Sequence, residues 1–376
     1  MSAIEIANFD AEMPAEIIPI WRRCARTSSN FRACLQTPEW FKYRWQGASN
    51  RYLAILREKD DKLLAVTPLV RNAYDLRIGG VRLEGVLING NVPLFPERNT
   101  YYQGLCEAIL GMPLVDCVYM PGVPLAGPFA EFLKCARQKS GWLLYMPEWR
   151  TKRHFYIDMR GSFAQYLTKF SAKTLQTIRR KIRALERAIG DRIELVKVVD
   201  PDQVDWFLSA AGSVAARSWQ KKLVDIEIGQ AAARKEVLEG FAGERALRCY
   251  VLKAGEKVLA FAICFHLSNT CYFHETAYDP TWSQFSPGQS LLYLIIKDCF
   301  ENEKPSIFHF GTGEADYKEM FSNQFGEEAT VLILKSNFRN RLLILAHGTS
   351  RKLAMLLRSM SWVVRLLALK NSPSRH

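Results

Sequence analysis

Three short stretches of this 376-residue chain carry side chains whose types and spacing could do chemistry. The first is His274-Glu275, inside the apolar run TCYFHETAY. An imidazole titrates near neutrality, and a carboxylate does so when its surroundings raise its pKa, so either can take a proton from an attacking group. The second is GTGEADYK (311–318), where Gly311 and Gly313 precede Tyr317 and Lys318. A phenol can protonate a leaving group, and an ammonium can hold a phosphate or a carboxylate. The third is Ser286-Pro287-Gly288-Gln289-Ser290, directly before the apolar run LLYLII. A helix starting there presents unpaired amides and about half a positive charge. Pro287 sets the turn, Gly288 lets a ligand approach the backbone, and Ser290 leaves the amides unshielded. The stretch therefore reads as a seat for a phosphate group. It has neither the Walker lysine nor a G-x-G-x-x-G spacing.

The elements around these stretches must hold them together. FSAKTLQTIRRKIRALERAIG (170–190) has apolar residues at 175, 178, 182, 185 and 189, the spacing of an amphipathic helix, with Ser171 to cap its start and Gly190 its end. A strand over 193–199, a helix from Asp200-Pro201 to about Trp219 and a helix over roughly 229–243 follow. Then comes an antiparallel meander of 248–253, 257–267 and 270–278, a helix from about Gly288 to Glu301, a strand over 306–310, a short helix with Tyr317 and a last strand over 329–335. Strand alternation puts Tyr272, His274, Thr276 and Tyr278 on one face and Phe273, Glu275 and Ala277 on the other. At most one of His274 and Glu275 then faces an acceptor directly. Upstream, Thr37-Pro38 opens a helix. Residues 52–70 form a hairpin around Glu58-Lys59-Asp60-Asp61, and 79–98 reads as loops between short strands. No catalytic constellation stands out before His154, the first histidine.

Composition bounds the class. The chain is 48% hydrophobic and 24% charged, ordinary for a folded protein, and its length suggests two domains. Nine scattered cysteines with no C-x-x-C and no metal-like pairing with histidine read as buried free thiols in a reducing compartment, and no metal is expected. The acidic start MSAIEIANFDAEM is unlike a signal peptide, and no run reaches 18 apolar residues, so a cytoplasmic protein is expected. The net charge of +13 is concentrated. Residues 150–187 hold eleven Lys/Arg and two Asp/Glu, and 335–376 hold nine Lys/Arg and no acid. An anionic partner near those segments is implied. The tail over 337–370 mixes its bases with Leu, Ile, Val and Trp. It reads as two helices broken at Gly348-Thr349-Ser350, able to lie peripherally on an anionic membrane at its inner face.

Taken in order, SPGQSLL (286–292), FHFGTGEADYK (308–318) and Phe325-Gly326 resemble the GNAT acyltransferase fold. With TPEW (37–40) and LLAVTPL (63–69), they resemble more narrowly the GNAT-like CelD/BcsL family of cellulose and exopolysaccharide biosynthesis, related to the FemAB transferases. The resemblance covers most of 35–335. The common GNAT loop carries Gln or Arg three places before the first glycine and Gly or Ala two places after; Phe285 and Ser290 stand there. The resemblance implies an α/β (α+β) fold of tandem GNAT-like halves, with mostly antiparallel mixed sheets flanked by helices and a basic helical tail. It divides the chain into a degenerate half (1–150), an acyltransferase domain (151–335) and the tail (336–376). It further implies an acyl-CoA co-substrate, acetyl-CoA or another, seated on Ser286, Pro287, Gly288, Gln289 and Ser290. Glu275 or His274 serves as base, Tyr317 protonates the CoA thiolate, and Gly311, Gly313 and Lys318 bind the acceptor. That acceptor is a small-molecule or glycan-type amine or alcohol, such as a sugar, exopolysaccharide or envelope precursor. The rivals are a FemAB-like transferase using aminoacyl-tRNA, which brings a nucleic-acid partner, and a non-catalytic scaffold docking a membrane polysaccharide synthase.

Overall fold

Local signals set the first elements. Thr37 accepts the Trp40 amide and Pro38 takes the first helical position, which starts α2 (Pro38–Arg44) after β1 (Ala3–Asn8) and α1 (Ile17–Thr27). The structure is a computed structural model and describes residues 3–352, except 10–14, 47, 49, 59, 77–80, 137–140, 149 and 218–230. The hairpin of the sequence is β2 (Arg51–Arg57) and β3 (Leu63–Asp75), followed by β4 (Arg82–Ile88), α3 (Asn99–Gly111), β5 (Cys117–Pro124), α4 (Pro128–Ala136) and β6 (Trp142–Tyr145). A connecting segment holds β7 (Lys152–Asp158), α5 (Phe163–Leu167) and α6 (Ala172–Ile189). Ser171 caps α6 at the Thr174 amide, and Gly190 closes it at φ +80°.

The second half repeats the order of the first. It runs β8 (Ile193–Val198), α7 (Val204–Ala215), α8 (Ala231–Gly243), β9 (Leu247–Ala254), β10 (Lys257–Leu267), β11 (Thr270–Tyr278), α9 (Pro287–Asp298), β12 (Ile307–His309), α10 (Asp316–Phe321) and β13 (Gln324–Lys335). In each half four antiparallel strands are followed by a helix and a parallel neighbour: β4 with β5, and β11 with β12. The halves then trade strands. β13 pairs antiparallel with β5 of the first half, and β7 pairs antiparallel with β12 of the second. β7 and β13 also pair with each other, so the thirteen strands among the described residues form one mixed, mostly antiparallel sheet.

Several expectations change here. Residues 299–303 form a π turn beyond α9, and the last strand starts five residues early, at 324. The helix opening the tail runs from 338 through 352 without a break at Gly348. Leu343 and Ile344 pack it on a small core with Leu332 and Leu334, so this part of the tail completes the fold. The second proposed tail helix lies outside the described residues. No helix among those described is long and apolar enough to cross a membrane.

Packing across the junction is dense and ionic. Arg32, just ahead of a 3-10 turn at Ala33–Gln36, is 2% exposed; it ion-pairs with Glu328 of β13 and donates to the Gly122 carbonyl of β5. The Phe31 ring stacks on His309 of β12 and His154 of β7, at centroid distances of 3.7 and 4.9 Å. Trp40 of α2 packs into the core of the second half, beneath α7 and α8. The first half therefore supplies one wall of a cleft whose other wall is β11.

Candidate active site

β11 is bent open at the residues singled out for chemistry. On one edge, Ile263 of β10 faces Glu275 and the next residue, Cys264, faces Phe273. His274 is thus the extra residue of a β-bulge, and it breaks the alternation assumed from the sequence. On the other edge, pairing with β12 ends at Tyr272–His309, and the chain then leaves toward β7, where the Phe310 amide donates to the Phe155 carbonyl. From Phe273 on, β11 and β12 are splayed apart.

The bulge turns His274 and Glu275 to the same side. The His274 ring meets the edge of Trp40 at 4.7 Å, and Glu275 Oε2 accepts from Arg234 Nη2 of α8 at 2.6 Å. Both line one cleft. The expectation that they face opposite ways is corrected: a two-residue period cannot anticipate an inserted residue. Burial and the Arg234 charge push the His274 pKa down to about 4, so the ring is neutral at pH 7. Arg234 is 7% exposed and compensates the Glu275 charge at Oε2; Glu275 Oε1 is buried without a hydrogen-bond partner among the described residues.

Two cavities flank the opened strand. One of about 700 Å³ lies between the halves and is lined by His274, Glu275 and Lys318, and by Trp40, Trp45 and Asn91 of the first half. The first half, in which no catalytic constellation stands out, thus walls the cleft. The other, of about 410 Å³, lies toward α9 and is lined by Tyr278, Ser286, Gly288, Gln289 and Leu292. Phe273, Thr276 and Tyr317 line both. Tyr317 sits in the first turn of α10, and burial raises its pKa, so it keeps its proton at neutrality.

The turn before α9 is partly closed on itself. Ser286 takes φ +53°, and its carbonyl accepts the Gln289 and Ser290 amides, each at 3.1 Å, and the Ser290 hydroxyl. Only the Gly288 N–H of the first turn stays uncommitted among the described residues, so the amide cradle is narrower than the sequence suggests. A Cβ on Gly288 would stand 3.3 Å from the Tyr278 ring, so the glycine also answers a packing demand inside the fold. A cation missed as a single residue joins the turn: Lys181 of α6 donates to Ser286 Oγ at 2.7 Å. Its signal was the basic helix face, in which Lys181 did not stand out from its neighbours.

Gly311 and Gly313 adopt φ of +73° and +83°, the left-handed region where glycine is favoured, and carry the chain from β12 to α10. Gly311 lines the cleft, whereas Gly313 does not. Lys318 is 9% exposed and donates to the Thr312 carbonyl at 2.5 Å. His309 is part of the junction. The Gly311 amide donates to its Nδ1 at 3.0 Å, which fixes the neutral tautomer; Nε2–H then donates to His154 Nδ1 at 2.9 Å. No group of His, Cys, Asp and Glu among the described residues could hold a metal ion.

Residues 172–319 match the family model described as acetyltransferase (GNAT) domain. No curated protein matches the chain. Among solved structures, that of FemX is similar with a TM-score of 0.58 at 9% identity, covering 86% of this chain and 97% of that one. The C-terminal domain of a putative lysylphosphatidylglycerol synthetase from Agrobacterium fabrum gives 0.52 at 11%, covering 89% and 96%. L-PGS from Bacillus licheniformis gives 0.50 at 10%, covering 87% and 97%. At such identities the likeness concerns the fold, and it extends over both halves.

Proposed function

We propose that this chain is a GNAT-type acyltransferase: it takes an acyl group from acyl-CoA in the α9-side cavity and passes it to an amine or hydroxyl held between the halves. The observation that carries this reading is the pair of cavities meeting at Phe273, Thr276 and Tyr317 across a splayed strand. Donor and acceptor then approach from opposite sides, and only their reacting ends share a wall. The donor's phosphates lie at Gly288 N–H and Lys181, with Ser286, Pro287, Gln289 and Ser290 shaping the turn. The matched GNAT domain includes all of these residues.

The chemistry is one addition and one elimination. The acceptor's lone pair attacks the thioester carbon, and backbone amides freed by the splay hold the oxyanion. The acceptor's proton passes to Glu275 through the unpartnered Oε1, with His274 as the neighbouring base. The C–S bond breaks, and Tyr317 gives its proton to the thiolate. Calorimetric titration with acetyl-CoA, followed by an acceptor screen that reads free thiol, tests this scheme.

A sugar, exopolysaccharide or envelope precursor suits the acceptor side. The support is the resemblance to the CelD/BcsL family together with the Trp40 and Trp45 rings and the Asn89 and Asn91 amides in the cleft. A second reading has its own observation. Lys173, Arg179, Arg180, Arg183 and Arg187 are exposed on α6, whose Lys181 reaches the donor turn. A donor longer than CoA, such as aminoacyl-tRNA, could lay its phosphates along that helix. Competition between acetyl-CoA and tRNA separates the two.

The helix from 338 to 352 supports a peripheral membrane contact. Opposite its packed face, Phe338, Leu342 and Leu345 are 83%, 53% and 64% exposed, at the spacing of one helical face. From 335 on the chain has nine bases and no acid, a composition that supports an anionic lipid surface as the partner.

A further inference from the structure

The charges around the cleft do not balance. Four cations and two anions stand there: Arg32, Arg44, Arg234 and Lys318 against Glu275 and Glu328. Arg32 is matched by Glu328 and Arg234 by Glu275. Lys318 and Arg44 have no carboxylate within ion-pair distance among the described residues. Arg44 is exposed at the rim, its guanidinium 5.2 Å from the centre of the Trp45 ring. Lys318 is different, because it is nine-tenths buried and gives one hydrogen bond, to Thr312. An ammonium has three donors. Burial lowers its pKa to about 8, so at pH 7 it remains mostly charged. A buried charge with no carboxylate in contact is costly to keep, and the Glu328 charge that acts on Lys318 from farther away is already paired with Arg32. A third donor adds to the imbalance: Trp45 Nε1 is buried and has no acceptor among the described residues. Trp45 lines the same cleft.

The cleft thus offers an ammonium, a guanidinium and an indole N–H, with the Glu275 Oε1 as a buried acceptor that has no partner among the described residues. We propose that the acceptor carries an anionic group, a carboxylate or a phosphate, that binds between Lys318 and Arg44 with the Trp45 N–H. Lys318 follows Tyr317 in the chain, so the anion anchors the acceptor within one residue of the wall shared with the donor. The nucleophile is then the amine or hydroxyl on the far side of the anion, turned toward Glu275. This inference rests on the reading that the cleft takes the acceptor.

The test needs no known acceptor. Trp40 and Trp45 line the cleft, so tryptophan fluorescence of the full chain is followed while inorganic phosphate and, separately, malonate are titrated at constant ionic strength. A saturable change with at least one probe is expected, and the probe that binds more tightly says whether phosphate or carboxylate is preferred. Lys318→Gln and Arg44→Gln should each weaken it tenfold or more, Lys318→Arg should largely keep it, and Lys181→Gln should leave it unchanged. No saturable response to either probe overturns the inference. So does a response that Arg44→Gln leaves intact, or one that only Lys181→Gln removes, which would place the anion at the donor turn. Arg44 is exposed, so its variant decides the matter even if Lys318→Gln fails to fold. Acetyl-CoA calorimetry on the same proteins keeps the two readings apart. Acetyl-CoA binding without an anion response sinks this inference alone, and an anion response without acetyl-CoA binding sinks the donor reading alone.

Discussion

Lys181 Nζ lies 2.7 Å from the Ser286 hydroxyl oxygen, so the basic helix α6 reaches across to the turn that opens α9. α6 lies outside the element order that the two halves share, between β7 and β8. The contact places a positive charge where a helix start already favours an anion.

Lys181→Glu should therefore weaken acetyl-CoA binding by about tenfold or more, the scale of one charge-assisted contact. The wild-type affinity should fall with added salt, and the variant's should fall less. Calorimetry at two salt concentrations checks both. Equal affinities in the two proteins would remove Lys181 from the donor site.

Tyr317 lines both cavities and keeps its proton at neutral pH. Tyr317→Phe should lower turnover by roughly ten- to a thousand-fold, the scale of one acid–base contribution, with little change in KM for acyl-CoA. Thiol release measured against donor concentration separates the two parameters. A KM effect alone would make Tyr317 a wall of the cavity and no more.

Glu275 and Arg234 form a largely buried pair, with side chains 18% and 9% exposed. Arg234→Met leaves the carboxylate uncompensated and should cost about 3–5 kcal/mol in urea unfolding. Adding Glu275→Leu should recover part of that loss. Glu275→Gln keeps the shape and should reduce turnover by about 10²–10⁴-fold. Full activity in Glu275→Gln would move the base to His274 or elsewhere.

Acid should loosen the junction between the halves. Burial and the Arg32 charge lower the His154 pKa from 6.5 to about 4. The unfolded chain then binds the proton more readily than the folded one between those values. Stability is complete above about pH 6.5 and is lost as pH falls toward 4, by about 3 kcal/mol at ~1.4 kcal/mol per pKa unit. His309, stacked on Phe31 beside it, is shifted the same way. Thermal unfolding between pH 4.5 and 7 should show the slope, and His154→Phe should be less stable at pH 7 yet shallower. A flat wild-type profile contradicts this.

The full chain should float with vesicles containing acidic lipid, and less so at high salt. Phe338→Ser with Leu342→Ser and Leu345→Ser should abolish flotation while leaving the melting temperature close to wild type, because those side chains are exposed. If the triple variant floats equally well, the 338–352 face is not what touches lipid.

Much of the frame was legible, since it rests on local rules. Thr37-Pro38, Ser171 and Gly190 mark helix ends through their own backbone and side-chain chemistry, and the meander of the second half follows from apolar runs and tight turns. The repeat between halves came from the resemblance and from no local rule, and the strand exchange was not legible at all. β13 and β5 lie some two hundred residues apart, and nothing local says that one will pair with the other. The bulge at His274 is one inserted residue in an otherwise regular strand, invisible to a period of two. Arg234 reaches Glu275, and Trp45 reaches the cleft, through tertiary packing. Lys181, among many bases on α6, has no local mark that singles it out.

The central claim is that acyl-CoA occupies the cavity between β11 and α9. Titrating the purified full chain with acetyl-CoA in a calorimeter measures this without knowledge of the acceptor. The account predicts saturable one-to-one binding, competed by CoA and weakened in Lys181→Glu. Absence of binding by both acetyl-CoA and CoA, in protein shown to be folded by its thermal transition, would contradict it.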